Sequence, residues 1–359
     1  MATTSYPVNH SLAVKLWSKT LFHEALKETH AGRFMGSDSN SLVQIKDETK
    51  KSAGDRIRIG LRVQLAGDGI QGDATLEGSE EALVTYTDDV FIDQLRHAVR
   101  SAGKMSEQRV TFDVREEAMM GLRDWWAGRI DTSFFNQLAG NTGQSDTRYT
   151  GNQAAIAPST TSGNSRIIFG PDDETTENSL SAASASNNFQ LTLLDEAITL
   201  AKTASPLLRP IKVNGEDKYV IFLHPYQVFN LRTDATANRV TWYDAQKARV
   251  QGGERDKNPI FSGALGEYNG VILHENTRVP LATSTTTVRR AVFCGAQAAA
   301  IAYGREYSSP NKMSWVEEAF DYGNQLGVSA GLIFGLKKLQ FNSNDFGTIV
   351  ISTHAEAPG

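Results

Sequence analysis

The amino-acid sequence predicts an α+β protein built from several packed lobes. Three observations support this prediction: a strictly alternating run with the period of a β-strand, a long run of apolar residues at helical spacing, and a later region in which short helices and strands alternate. The chain has 359 residues, which is enough for two or three lobes with cores of their own. Its 40% hydrophobic and 21% charged residues are typical of globular proteins.

Charge and composition exclude several classes of protein. The formal net charge of −5 argues against a dedicated nucleic-acid binder, because such proteins are usually basic over a whole domain. No uninterrupted apolar run reaches membrane-spanning length, and the first residues lack the basic and apolar regions of a signal peptide. The single cysteine, Cys294, cannot form an internal disulfide. We therefore expect a cytoplasmic protein without membrane contact.

Residues 1–45 are predicted to form an N-terminal arm. An amphipathic helix is expected over Ser11–His30, and a polar, glycine-containing stretch follows at Gly32–Asn40. Because a single helix buries little surface alone, we expect it to pack on another surface.

Residues 46–95 predict a long β-hairpin. Apolar and polar residues alternate strictly through Arg56–Leu65, which is the signature of a half-buried strand. A glycine-rich reversal at Gly67–Gly78 leads to a second strand at Leu83–Ile92. A two-stranded hairpin is marginally stable in water, so its apolar face needs a surface on the same chain or on a neighbouring copy.

The two limbs of the hairpin carry opposite charges. The candidate subunit-interface residues are Arg56, Arg58 and Arg62 on the basic limb and Glu77, Glu80, Glu81, Asp88 and Asp89 on the acidic limb. Such complementarity sets the orientation of partners more than their affinity.

A long helix is predicted from Ser106 to about Ala139, within residues 96–140. Its buried row is expected to consist of Ala118, Leu122, Trp126, Ile130, Phe134 and Leu138. Over ~30 residues such a helix would run about 50 Å. We interpret the pair Trp125-Trp126 as packing residues rather than as a ligand platform, because they lie at core spacing.

Residues 141–189 have few large apolar side chains and predict an inserted loop region, with at most a short hairpin near Arg166–Phe169. Residues 190–311 predict a compact α+β lobe. Its expected elements are helices at Leu191–Ala204, Trp242–Val250 and Gln297–Ala302, and strands at Lys218–Leu223, Val271–Leu273 and Arg290–Cys294. Residues 312–359 return to strands, at Leu332–Phe341 and Gly347–Ser352.

No motif predicts catalysis. Gly67–Gly72 satisfies the G-x-G-x-x-G pattern, but a dinucleotide site also needs a helix that starts at the glycines, whereas acidic turn-forming residues follow here. Cys294 lies in an apolar strand context that favours a buried, inert thiol. The seven histidines lack zinc spacing. We predict no catalytic residue, no cofactor and no metal site, although an intersubunit calcium site stays open.

Within Asp55–Arg100 the sequence resembles the major capsid proteins of the phage N-four type, a branch of the Hong Kong 97-like phage capsid fold. The segments that carry the resemblance are Leu61–Gly69, Leu76–Ala82 and Ile92–Arg100. The resemblance implies that 46–95 is the extended loop lying across a neighbouring subunit, 96–140 a peripheral domain with a spine helix, and 190–311 an axial domain. Residues 312–359 would return to the peripheral domain.

The resemblance also implies the function. Hexamers and pentamers of the chain would form the icosahedral head of a tailed bacteriophage, assembled in the host bacterial cytoplasm. The shell would enclose double-stranded DNA without sequence-specific binding. Expected partners are a portal, a separate scaffolding protein and a cement protein. The fold's founding member cross-links through an extended-loop lysine, whereas this chain has no lysine between Lys51 and Lys104. Cross-linking through that loop is therefore not expected, and stabilisation would be non-covalent or come from a separate cement protein.

Two other functions stay open at this point. An encapsulin-like nanocompartment shell would share the architecture, and it would differ by having a cargo partner in place of a portal. A cytoplasmic α/β enzyme built on residues 190–311 would need convergent polar groups, which the sequence does not suggest, and would leave the hairpin unexplained.

Overall fold

The fold is described by a computed structural model. It covers residues 29–47, 54–73, 75–109, 113–161, 164–171, 174–182, 187–213, 215–233, 265–304 and 313–357. Most of the predicted helix Ser11–His30 and all of Trp242–Val250 lie outside these residues.

The described elements mix helices and strands along the whole chain. In order they are β1 (Met35–Gly36), β2 (Val43–Lys46), β3 (Arg56–Arg62), β4 (Thr85–Phe91), β5 (Asp93–Arg100), α1 (Lys104–Gln108), α2 (Val114–Leu138), β6 (Ile167–Phe169), α3 (Leu191–Thr203), β7 (Ile211–Val213), β8 (Glu216–Leu223), α4 (Pro225–Thr233), β9 (Gly266–Tyr268), β10 (Val271–Glu275), β11 (Val288–Cys294), β12 (Ala299–Tyr303), β13 (Met313–Phe320), β14 (Gln325–Lys338), β15 (Gln340–Phe341), β16 (Asn344–Asp345) and β17 (Thr348–His354). Short 3-10 helices lie at Ala31–Phe34, Thr147–Tyr149 and Ser179–Ser181. The predicted α+β class is confirmed.

Two sheets organise the fold. The first has six strands in the order β1-β2-β12-β14-β13, with β5 also paired to β14. The second has seven strands in the order β6-β17-β11-β8-β10-β9, with β7 also paired to β8. Helix α2 packs on the first sheet, and its core extends to one face of the second sheet through Val220 and Phe222. The opposite face of the second sheet, which includes Ile221, packs with α3 and α4.

The predicted buried row of α2 is confirmed, since all six of its residues are buried. The predicted start of the helix is wrong. The helix begins at Val114, where the Asp113 side chain caps it by accepting a hydrogen bond from the Arg115 N–H at 2.8 Å. Its 25 residues span about 37 Å rather than about 50 Å. The earlier residues Lys104–Gln108 form the separate helix α1.

The approach to α2 also differs from the prediction. The sequence assigns residues 46–95 to the hairpin and 96–140 to the segment with the long helix, but Asp93–Arg100 forms β5 and pairs antiparallel with β14. The division expected between residues 95 and 96 therefore falls inside a strand.

The helix predicted at Gln297–Ala302 is also wrong, because Ala299–Tyr303 forms β12. This strand pairs with β2 on one side and β14 on the other, and every residue in it is buried. Hydrogen bonding to two neighbouring strands overrides the local helix propensity of alanine.

Near Arg166–Phe169 the structure has a single strand rather than a hairpin. Strand β6 pairs in parallel with β17, so its partner lies far along the chain. Strand β17 is a central strand of the second sheet, whereas β13 and β14 belong to the first. The C-terminal residues 312–359 therefore contribute strands to both sheets. Strand β12 belongs to the first sheet, although its residues fall within the predicted 190–311 lobe.

Several local predictions are confirmed. The strands predicted at Lys218–Leu223, Val271–Leu273 and Arg290–Cys294 are parts of β8, β10 and β11. The helix predicted at Leu191–Ala204 is α3, which ends at Thr203.

Candidate assembly interface

The predicted hairpin is present as the antiparallel pair β3–β4. Its register runs from Arg56 opposite Phe91 to Arg62 opposite Thr85. Exposed and more buried residues alternate along β3, as the sequence pattern requires. The ladder is shorter than predicted, although one further hydrogen bond joins the Val63 N–H to the Val84 carbonyl at 3.0 Å.

The base of the hairpin packs against the same chain. Ile57 and Val90 are 5% and 0% exposed. They join a core cluster completed by Ala300, Ala302, Leu339, Phe341 and Phe346. At the base of the hairpin, the surface that the apolar face needs is therefore supplied by the same chain, through β12 and the segment after β14.

Asp88 helps to fix this base. Its carboxylate pairs with the Lys337 ammonium group and accepts a hydrogen bond from the Gln340 N–H at 3.0 Å. Lys337 also donates to the Asp89 carbonyl at 3.0 Å. Because the Asp88 side chain is only 9% exposed, its charge is satisfied within the chain.

Asp89 is paired across the hairpin. Arg58 donates to its two carboxylate oxygens at 2.7 and 2.9 Å, and Arg56 lies 3.6 Å away. The hydrogen bond from Arg58 lowers the pKa of Asp89. The structure thus brings together Arg56, Arg58 and Asp89, but it brings them together as an intrachain cluster that holds the two limbs.

The remaining predicted interface charges lie farther out. Arg62, Glu77 and Glu80 are exposed. Glu80 accepts a hydrogen bond from the Gly78 N–H at 2.7 Å. Glu81 binds the opposite limb, where it accepts hydrogen bonds from the Ala66 and Gly67 N–H groups at 2.9 and 2.7 Å. These bonds lower the pKa of Glu81 and close the loop beyond the ladder.

Residues 63–84, here called the hairpin tip, expose a set of large apolar side chains. Leu65, Leu76 and Leu83 are 58%, 60% and 59% exposed. Val63, Ile70 and Val84 are exposed as well. Exposed apolar groups concentrated on one projecting segment are typical of an interaction site. The sequence shows these leucines and valines among glycines and acids. It does not show that they are exposed, because exposure depends on which part of the hairpin the rest of the chain covers.

The motifs considered for catalysis or ligand binding lie in turns or in the packed interior of the protein. The Gly67–Gly72 motif ends in a turn at Gly72–Asp73, and a second turn lies at Glu77–Gly78. A dinucleotide site would instead need a helix that starts at the glycines. Cys294 is fully buried in β11, and burial raises the pKa of its thiol, which confirms the prediction of a buried cysteine. Trp126 is 0% exposed, and the Trp125 ring stacks on His97 at 4.4 Å.

The described residues contain neither a metal-binding cluster nor a membrane-spanning helix. Over the ranges that the structure covers, no three His, Cys, Asp or Glu side chains are grouped so that they could hold a metal ion. In the same part of the chain, no helix combines the length and apolar character needed to cross a membrane.

Comparisons with known proteins agree with one another. A family model described as "Phage capsid protein" matches residues 5–357. The major capsid protein of Pseudomonas phage KPP25 is 30% identical over 366 aligned residues, with 93% of each chain covered. The capsid of Ralstonia phage GP4 is similar in structure, with a TM-score of 0.74, 33% identity and 91% of each chain covered. The cyanophage Pam1 capsid shares the fold at a TM-score of 0.72 and 21% identity, covering 93% of this chain and 94% of that one.

Proposed function

This chain belongs to the phage capsid protein family, and from that premise we propose that it builds its shell through the hairpin tip. It is a bacteriophage major capsid protein that forms the capsid shell. The finer assignment that we propose is the phage N-four type of the Hong Kong 97-like fold, with the shell made of hexamers and pentamers.

The observation that carries the proposal is the apolar surface of the hairpin tip. The base of the hairpin is covered by its own chain, whereas Leu65, Leu76 and Leu83 are each more than half exposed. Burying such side chains is worth ~25 cal/mol per Å² of apolar surface, so contact with a second copy would be favourable. If the tip meets a different surface of the second copy, the contact is heterologous, which is the kind of contact that closes into rings when the rotation between copies allows it.

The charges of the hairpin divide between two roles. Asp88, Asp89 and Arg58 have partners within the chain, and they support the proposal by stiffening the hairpin. We assign the intersubunit role to the exposed Arg62, Glu77 and Glu80, whose charges would orient the neighbouring copy.

Replacing Leu65, Leu76 and Leu83 together by serine tests the proposal. The variant is expected to fold, because these side chains contribute little to its own core, and to fail to form closed shells. Leu207→Ser is a matched control, since Leu207 is also 58% exposed but lies in the loop after α3. Negative-stain electron microscopy and sedimentation would measure shells, and circular dichroism would measure folding. Normal shells from the triple variant would overturn the role of the tip.

The other parts of the proposed role concern partners. We propose that the shell forms in the host bacterial cytoplasm and becomes part of the virion. It would enclose double-stranded DNA without sequence-specific contacts and work with a portal, a separate scaffolding protein and a cement protein. The role is structural and needs no catalytic residue.

A further inference from the structure

The first described residues of the chain enter an aromatic pocket where α2 meets the second sheet. The ring of His30 lies 5.7 Å from that of His274 on β10, with the two planes near perpendicular. Phe222 on β8 lies 5.7 Å from His30. Phe34 lies 5.2 Å from His274. The pocket thus contains residues from the N-terminal segment, β8 and β10.

A buried carboxylate on α2 ties these parts together. Asp131, which is 2% exposed, accepts hydrogen bonds from the His30 and Ala31 N–H groups at 3.0 and 2.9 Å. It also pairs with Arg278, which follows β10, at 2.8 Å. The same side chain therefore fixes the start of the described chain and joins α2 to the lobe of the second sheet.

The pocket favours uncharged imidazoles. Burial, together with the smaller effects of the neighbouring His30 and Arg33, lowers the pKa of His274 to about 4. Burial also lowers the pKa of His30, against the opposing effect of Asp131. Among the described residues, the buried Nε2 of His30 has no hydrogen-bond partner.

The charged groups around the two rings would compensate a new positive charge only in part. Arg33 on the N-terminal segment and Arg278 after β10 are both cationic. Asp131 is the anion that faces His30, and it already accepts from three donors. A proton on either ring would therefore place a cation among aromatic side chains and other cations.

We propose that His30 and His274 form an acid-sensitive latch that holds the N-terminal segment on the junction between α2 and the second sheet. In the seated state, with residues 29–36 packed on this junction, the histidine pKa values are lower than in the released state. The seated state is therefore most favoured above about pH 6.5 and weakens as the pH falls toward 4. For His274, a shift from 6.5 to about 4 corresponds to about a 30-fold loss in the seated-to-released ratio at pH 5. This latch is independent of the role proposed for the hairpin tip.

Hydrogen exchange of the full chain, followed by mass spectrometry at pH 7 and pH 5 and corrected for the intrinsic effect of pH, tests the latch. Peptides covering residues 29–36 are expected to lose protection at least tenfold at pH 5. His274→Phe keeps a ring of similar size and removes the titration of His274, so the loss of protection at pH 5 should be clearly smaller than in the unchanged protein. His97→Phe, on the exposed strand β5, is the matched control and should retain the loss.

Two results would overturn the latch: equal protection of residues 29–36 at both pH values in the unchanged protein, or the same loss in His274→Phe. The second result would also implicate another buried histidine, such as His224, whose pKa is likewise lowered to about 4 by burial. If His274→Phe does not fold, His30→Phe provides the same comparison on the N-terminal segment. Shell formation by these variants at pH 7 separates failure of the latch from failure of the hairpin-tip proposal.

Discussion

Lys338 and Asp345 form an ion pair whose two side chains are both 0% exposed. Their Nζ and Oδ2 atoms lie 2.9 Å apart, and the Gln340 side chain donates to the other Asp345 oxygen at 2.7 Å. Burial lowers the pKa of Lys338, which shows how little solvent compensates the charge. A pair of this kind adds little net stability, but removing one partner leaves an isolated buried charge.

We expect Lys338→Met to lower the free energy of unfolding by about 3–5 kcal/mol, because Asp345 loses its counter-charge. Denaturant unfolding would measure the change. Adding Asp345→Asn should restore part of the loss. Arg148→Met is the control, since it removes an exposed ion pair with Asp146, which water and salt screen, and it should cost much less. Equal losses from Lys338→Met and Arg148→Met would contradict the argument.

At the scale of elements, the hairpin is joined to the first sheet where the chain passes from β4 to β5. Here the backbone of Phe91 crosses Gly335 on β14 so closely that a Cβ atom at Gly335 would overlap the Phe91 carbonyl oxygen. The direction in which the hairpin leaves the sheet therefore depends on the absence of a side chain at this position.

Gly335→Ala is expected to displace the base of the hairpin, with loss of stability and of shell formation. Gly60→Ala is the matched control within the hairpin, because a Cβ there would meet no atom within 4 Å. Thermal unfolding and electron microscopy of both variants would measure the difference. Indistinguishable behaviour of the two variants would show that the crossing does not fix the hairpin.

The range 141–189, predicted as an inserted loop region, contains short elements that the sequence did not predict, such as the 3-10 helices at Thr147–Tyr149 and Ser179–Ser181. Polar contacts help to hold the described part of this range: Gln137 donates to the Gln153 carbonyl at 3.0 Å, and Asn152 donates to the Phe334 carbonyl at 2.8 Å. Arg290 pairs with the buried Glu177 at 2.6 Å. An apolar pattern cannot reveal these contacts, because they are polar and two of the three join residues more than 100 positions apart.

At the scale of the whole molecule, the shell is expected to be held without covalent cross-links through the hairpin. The sequence has no lysine between Lys51 and Lys104, so this segment offers no amine for an isopeptide bond. Burial of apolar surface at the hairpin tip is then the main expected source of cohesion between subunits.

Purified shells heated in SDS should therefore give a single band near 39.2 kDa on electrophoresis. Mass spectrometry of tryptic peptides would provide the second measurement, with no linked pair expected to contain residues 52–103. A ladder of oligomers that contains such a linked pair would contradict the non-covalent shell.

The sequence by itself determined those features that depend on near neighbours along the chain. The alternation through Arg56–Arg62 defined the first limb of the hairpin, and the spacing from Ala118 to Leu138 defined the buried row of α2. Both periods follow from backbone geometry alone. The family resemblance also rested on contiguous segments, and the comparisons confirm it at the level of phage capsid proteins.

Only the tertiary structure decided which distant segments meet. It made β12 a central strand in spite of its alanines, and it paired Asp88 with Lys337 inside the chain. It also covered the base of the hairpin while leaving its tip exposed. The physical reason is that pairing between strands, burial and ion pairing depend on atoms brought together across long sequence separations, which no local pattern records.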